Sequence, residues 1–222
     1  MFLKQGIGNI VRIPEDNTWV IFILLACVFS FIFMMNTIQR DATLKDFLFQ
    51  KYFDAANNFI SWIIISIVTT VCLATLFSQY IPTTPSFLQK IAVAGIQLNK
   101  FGYTLIIISL FYFLKSGFSF LFYQTTGNSK RWPLLYFTAS KFYFIFCFLL
   151  IIANIINYYF PIEKQIAFNY YLYTLVFIFI FKVFFYFFHN NNILPEKWYY
   201  KILYICTLQI APLLVVWRLL FF

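Results

Sequence analysis

Leu149-Leu150-Ile151-Ile152-Ala153-Asn154-Ile155-Ile156 is apolar at every position but one, and it lies inside a longer run, Pro133–Tyr159, whose single charge is Lys141. A strand crossing lipid alternates apolar and polar residues over about ten positions. This run does not alternate, and it is long enough for a helix, which needs about 20 apolar residues to cross hydrocarbon. Working outward, five more runs of the same kind lie near Thr18–Met35, Phe59–Tyr80, Phe101–Tyr123, Asn169–Phe188 and Trp198–Phe222. The pattern predicts an all-α, polytopic transmembrane helical bundle of about six spans, with residues 1–222 forming a single membrane domain.

Composition agrees. The 222 residues are 63% hydrophobic, with a mean hydropathy of +0.82, against about 45–50% apolar residues in soluble domains. Pro14-Glu15-Asp16 precedes the first run and no small-x-small site closes it, so it is expected to be a retained span rather than a cleaved signal. The longest polar connection, near Asn36–Asn58, is too short to build a core of its own.

The net charge of +9 is spread over the ends of the runs, which leaves no basic surface for a duplex and argues against a nucleic-acid partner. If both termini share one side, that side holds Lys4, Arg12, Lys90, Lys100, Lys164 and Arg218, six of the 16 basic residues, and the other ten lie on or nearer the opposite side. The positive-inside rule makes the opposite side cytoplasmic and the termini periplasmic. Between Pro82 and Lys100 the residues near 86–98 read as an amphipathic helix started by Pro85 and lying in the interface.

The 33 Phe and 16 Tyr read as lipid-facing bulk rather than stacking platforms. Cys27, Cys72, Cys147 and Cys206 each fall in a different run, and the sole histidine, His189, sits at a run end. Metal sites need such ligands clustered, so neither metal nor cofactor is expected and the cysteines read as small hydrophobes. No Asp, Glu or His lies within the runs to supply an acid–base pair, which points away from an enzyme.

Lysines inside the runs are the exception to this blandness. At about 1.5 Å per residue, Lys201 lies close enough to its end to snorkel. Lys182 is about 10 Å deep, Lys141 about 12 Å and Lys115 about 13 Å on the same geometry. A lysine at that depth costs about 2.5–3.5 kcal/mol even on lenient scales. Lys115-Ser116-Gly117-Phe118-Ser119 and Thr138-Ala139-Ser140-Lys141 embed them among small residues that let helices approach. Lys115, Lys141 and Lys182, with Ser116 and Ser140, are therefore the candidate anion or lipid site, spans three and four being expected to converge their lysines. In the last run, Pro212 cannot donate to the carbonyl of Leu208, so a break beside Gln209 makes Leu208, Gln209 and Pro212 a second candidate site. Asn154, Asn157 and Ser109 read as interhelical glue.

The stretch Lys201-Ile-Leu-Tyr-Ile-Cys-Thr-Leu-Gln-Ile-Ala-Pro-Leu213, with the six-span layout, resembles a family of Bacteroidota inner-membrane proteins, domain-of-unknown-function family 4271. The family motif is closer to Leu-Glu-Ile-x-Pro-Leu, so Gln209 stands where relatives carry an acid. The resemblance implies an inner-membrane location and supplies no activity. The leading expectation is a non-enzymatic subunit or scaffold of a larger cell-envelope complex, partnered by the bilayer and other membrane proteins. The alternative is a transporter or binding protein for an anionic, phosphate-headed lipid or solute.

Overall fold

The protein is described by a computed structural model covering residues 17–39, 43–50, 52, 57–81, 92–93, 96–97, 99–188, 193–195 and 197–221. Its first span is α1 (Thr18–Phe33) prolonged by a π-helical turn, Met34–Ile38. A short helix, α2 (Leu44–Phe49), precedes α3 (Asn58–Ser78), α4 (Lys100–Thr125), α5 (Trp132–Tyr159) and α6 (Lys164–Phe188). The sixth span consists of α7 (Trp198–Leu203), a π-helical stretch Tyr204–Ile210, and α8 (Ala211–Phe221). All six are long and apolar enough to cross a membrane, and the chain is a multi-pass membrane protein. The fifth begins at Lys164 rather than near Asn169, because Lys164 and Gln165 form a polar first turn that the apolar run does not include.

The amphipathic helix expected near residues 86–98 falls mostly outside the described residues. Where that stretch is described, Ala92–Val93 (β1) pairs antiparallel with Ile96–Gln97 (β2), Val93 opposite Ile96. The β-branched Val93 and Ile96 favour the extended backbone of the described pairs.

Spans one, two and four make the largest core because each repeats buried positions at spacings of three and four, which keep one face turned to a neighbour. In α1 these are Val20, Leu24, Cys27, Phe31 and Met34; in α3 Ile65, Val68, Cys72 and Leu76; in α5 Phe144, Cys147 and Ile151. Polar groups are tied within this core as lipid demands. Asn154 donates from Nδ2 to the carbonyls of Cys72 (3.1 Å) and Leu150 (2.8 Å), joining α5 to α3. Asn157 donates to Gln79 Oε1 at 3.0 Å and accepts from the Tyr80 hydroxyl. Cys27 and Cys72 bring their sulfurs to 3.7 Å, and Cys147 lies 3.0 Å from the Thr69 hydroxyl. Three cysteines from three spans thus share one core. A second core joins spans three to six around Tyr123, Leu135, Tyr186, Tyr204 and Leu208.

The connection between the first two spans folds back onto the bundle. Phe47 of α2 is buried in the main core, its ring 5.1 Å from that of Phe144. At the helix start, the Asp46 N–H donates to the Thr43 hydroxyl oxygen at 3.2 Å, and the Asp46 carboxylate accepts from the Thr43 N–H at 3.2 Å, a capping box. The Thr43 hydroxyl, and secondarily its backbone N–H, hold the Asp46 carboxyl below its ordinary value of 3.8. A carboxyl depressed in the folded state contributes stability above its unfolded value and loses it as pH falls through the folded one. Amide exchange over Leu44–Phe49, corrected for intrinsic rates, should therefore be flat from about pH 8 to about pH 5 and quicken only below about pH 4. A change near neutrality would mean that another group holds this helix end.

Candidate functional site

Lys115 on α4, Lys182 on α6 and Gln209 in the π-helical stretch line one cavity of about 60 Å³, together with Ser116, Ser119 and Tyr204. That is room for a few waters or one compact polar group. Lys182 is 5% exposed and donates to the Tyr143 hydroxyl at 2.6 Å. Its ammonium lies 4.4 Å from the Tyr143 ring centroid and 5.4 Å from that of Tyr186, so two rings take part of the role that water has outside. Tyr186, one turn along the same helix, is itself buried. The Lys115 ammonium lies 5.5 Å from the Phe111 ring centroid and within interaction reach of both Lys182 and Tyr143.

Gln209 is 3% exposed, and its Nε2 donates to the Tyr204 hydroxyl at 3.1 Å. Its Oε1 is buried with no partner among the described residues. Amide oxygen and nitrogen are interchangeable assignments, yet turning the amide moves the vacancy from acceptor to donor without filling it. The π-helical stretch is what brings this side chain inward. Pro212 removes a donor from the α-helical ladder, the wider turn ahead of it absorbs the mismatch, and the Thr207 hydroxyl donates back to Leu203 O at 2.6 Å.

The electrostatics are one-sided. No Asp or Glu occurs in any of the six spans, so among the described residues the two ammonium groups have hydroxyls and π faces beside them but no anion. Two cations in a medium of low dielectric repel strongly, and desolvating each is expensive. A negatively charged group in this cavity would relieve both costs.

The expected convergence of spans three and four on a shared Lys115–Lys141 site is corrected. Lys141 points away, donating to Leu48 O at 2.9 Å and to Gln50 O, with its ammonium 4.4 Å from the Phe137 ring centroid. It caps the C-terminal end of α2, where free carbonyls favour a cation. Lys182 takes its place beside Lys115. Ser140 is occupied within its own helix, donating to Tyr136 O at 2.7 Å. Of the small residues around Lys115, Ser116 and Ser119 reach the cavity, whereas a side chain at Gly117 would meet open space, so that glycine permits no close helix approach. Leu208 is buried in the second core and Pro212 is half-buried, and neither lines the cavity. Of the helix-break trio, only Gln209 belongs to it.

Sequence reasoning took Ser119 only as a small packing residue and missed Tyr143, Tyr186 and Tyr204. Their signal was spacing: Tyr186 is one turn from Lys182, Ser119 one turn from Lys115, and Tyr204 one π-helical turn before Gln209. Among the described residues, no group of three His, Cys, Asp or Glu could hold a metal.

Residues 18–220 match the model of a family described as a domain of unknown function, DUF4271. No curated protein and no solved structure matches the chain.

Proposed function

We infer that this chain, which belongs to the DUF4271 family of domains of unknown function, binds an anionic headgroup in the cavity lined by its second to sixth spans. One observation carries the reading: Lys115 and Lys182 share a small cavity with an amide end that has no partner among the described residues, in spans that contain no carboxylate. Each charge-assisted hydrogen bond to an anion there is worth about 1.5–3 kcal/mol. Because the lysines lie within the hydrocarbon depth, the ligand reaches them through the bundle or from the lipid side. We further propose an inner-membrane location with the Lys115 and Lys182 ends of their spans cytoplasmic, on the six-against-ten division of basic residues.

A second reading, a subunit of a larger envelope complex, draws on α4 and α6. The span windows of these two helices are each only 11% buried within the chain, leaving wide faces for lipid or for another membrane protein.

One experiment separates the readings. The protein is purified in native-lipid particles, and everything retained is identified by mass spectrometry for wild type and for Lys115→Gln/Lys182→Gln. A phosphorylated or carboxylated lipid retained by wild type and reduced at least about tenfold in the variant, from a loss of at least 1.4 kcal/mol, supports the anion site. Equal lipid retention by both forms, with stoichiometric protein partners, overturns it in favour of the complex subunit.

A further inference from the structure

Two apolar cavities continue from the polar one. The first, of about 160 Å³, begins at Lys115, Lys182, Tyr112 and Tyr143, all four of which also line the polar cavity. It runs between α3, α4, α5, α6 and α8, past Phe146, Leu175 and Ile178, to Leu213 and Val216. There it meets the second, of about 360 Å³, through shared walls at Phe77, Leu175, Phe179, Leu213 and Val216. The second cavity is lined entirely by apolar side chains and reaches Leu172, Trp217 and Phe221. From Lys182 to Leu172 is ten helical residues, about 15 Å, and the path leads toward the opposite ends of the spans from those nearest the lysines.

A free inorganic anion has no use for such a passage. An ordinary two-chain phospholipid keeps its headgroup at the interface, whereas Lys115 lies ten residues, about 15 Å, inside the end of α4. Two facing ammonium groups without a carboxylate are best matched by a dianion, and a phosphate monoester carries about −1.5 to −2 at pH 7, where a carboxylate or phosphodiester carries one charge. We propose that the ligand is a single-chain phosphate monoester, its phosphate held by Lys115 and Lys182, with the Gln209 amide turned so that Nε2 donates to its oxygens while Oε1 accepts from the Tyr204 hydroxyl, and its hydrocarbon chain lying along the apolar passage to the α6–α8 wall. This rests on the anion-site reading above and adds the chain and the charge state.

The test uses dodecyl phosphate carrying a diazirine at its terminal carbon, added to the protein in phosphatidylcholine nanodiscs and photolysed, with labelled residues located by mass spectrometry. Labels are expected on the passage-lining Leu172, Leu175, Phe179, Leu213 and Val216. They should fall at least tenfold in Lys115→Gln/Lys182→Gln, and unlabelled dodecyl phosphate should displace the probe at no more than a tenth of the concentration that dodecanoate needs. Labelling spread over lipid-facing residues such as Phe113 and Phe177, or indifferent to the lysine change, overturns the proposal. Equal competition by dodecanoate overturns the monoester assignment. Protection of Lys115 and Lys182 from acylation by inorganic phosphate distinguishes the two levels: protection with labels outside the passage leaves the anion site standing and removes the chain path, while no protection and no lysine-dependent label removes both. Val216→Trp, which fills the passage away from the lysines, should abolish the chain labels and spare the protection.

Discussion

Lys115→Glu should raise the thermal midpoint of the protein and abolish retention of an anionic ligand in the same step. The substitution removes one of two cations that repel each other in a shared cavity of low dielectric and puts a carboxylate within reach of Lys182. A lysine within the hydrocarbon costs about 2.5–3.5 kcal/mol, and pairing the remaining ammonium recovers part of that, about 2 kcal/mol. For a chain of this size each kcal/mol moves the midpoint by about 2–4 °C, so a rise of about 4–8 °C is expected in detergent melting. An incoming anion would then meet a carboxylate already in its place. Losing one charge-assisted hydrogen bond and adding a repulsion exceeds 2.7 kcal/mol, so affinity should drop at least about 100-fold. A lower midpoint with the anion still retained would show that Lys115 turns away from Lys182 and toward headgroups.

Phe47→Ala should destabilise the protein more than any substitution on its lipid-facing surface. Phe47 is 3% exposed and packs against Phe144, and Phe→Ala changes in cores cost about 3–5 kcal/mol. In a membrane the freed surface meets lipid rather than water, which favours the low end, about 3 kcal/mol and a fall of about 6–12 °C. Lys141→Met removes the cation that holds the carbonyls of Leu48 and Gln50, a loss of about 1–3 kcal/mol. Both changes release the same helix, so the double variant should fall short of the sum by about 1 kcal/mol. Full additivity would mean that α2 does not dock as one unit.

The spans were legible because length and apolarity alone define them, and Asn154 as glue was legible because an amide in such a run must find a partner. The choice of lysine was not. These spans are apolar on every side, so the sequence carries little record of which face turns inward, and depth along the helix says nothing about rotation around it. Lys115 and Lys141 share a depth and diverge by rotation, while the shallower Lys182 lands beside Lys115. The docking of α2 was equally hidden, since Phe47 in a short polar connection has no periodicity to betray it. The meeting of Cys27 with Cys72 depends on two helices whose register no local pattern states. By contrast, Pro212 announced the irregularity beside Gln209, because a missing N–H is a chemical fact of the residue itself.

The π-helical stretch Tyr204–Ile210 has a consequence for chain length. A turn closed five residues back holds one residue more than an α-helical turn, so this span contains a removable residue. Deleting Cys206, which is exposed, would let the segment relax to α-helix and return α8 to an uninterrupted register with what precedes it. The step from Tyr204 to Gln209 would shorten from five residues to four, which in an α-helix still places the two side chains on one face. The last span can therefore lose a residue, still cross the bilayer and keep Gln209 beside Tyr204, so that the extra residue adjusts the length of the span without being needed to present the amide.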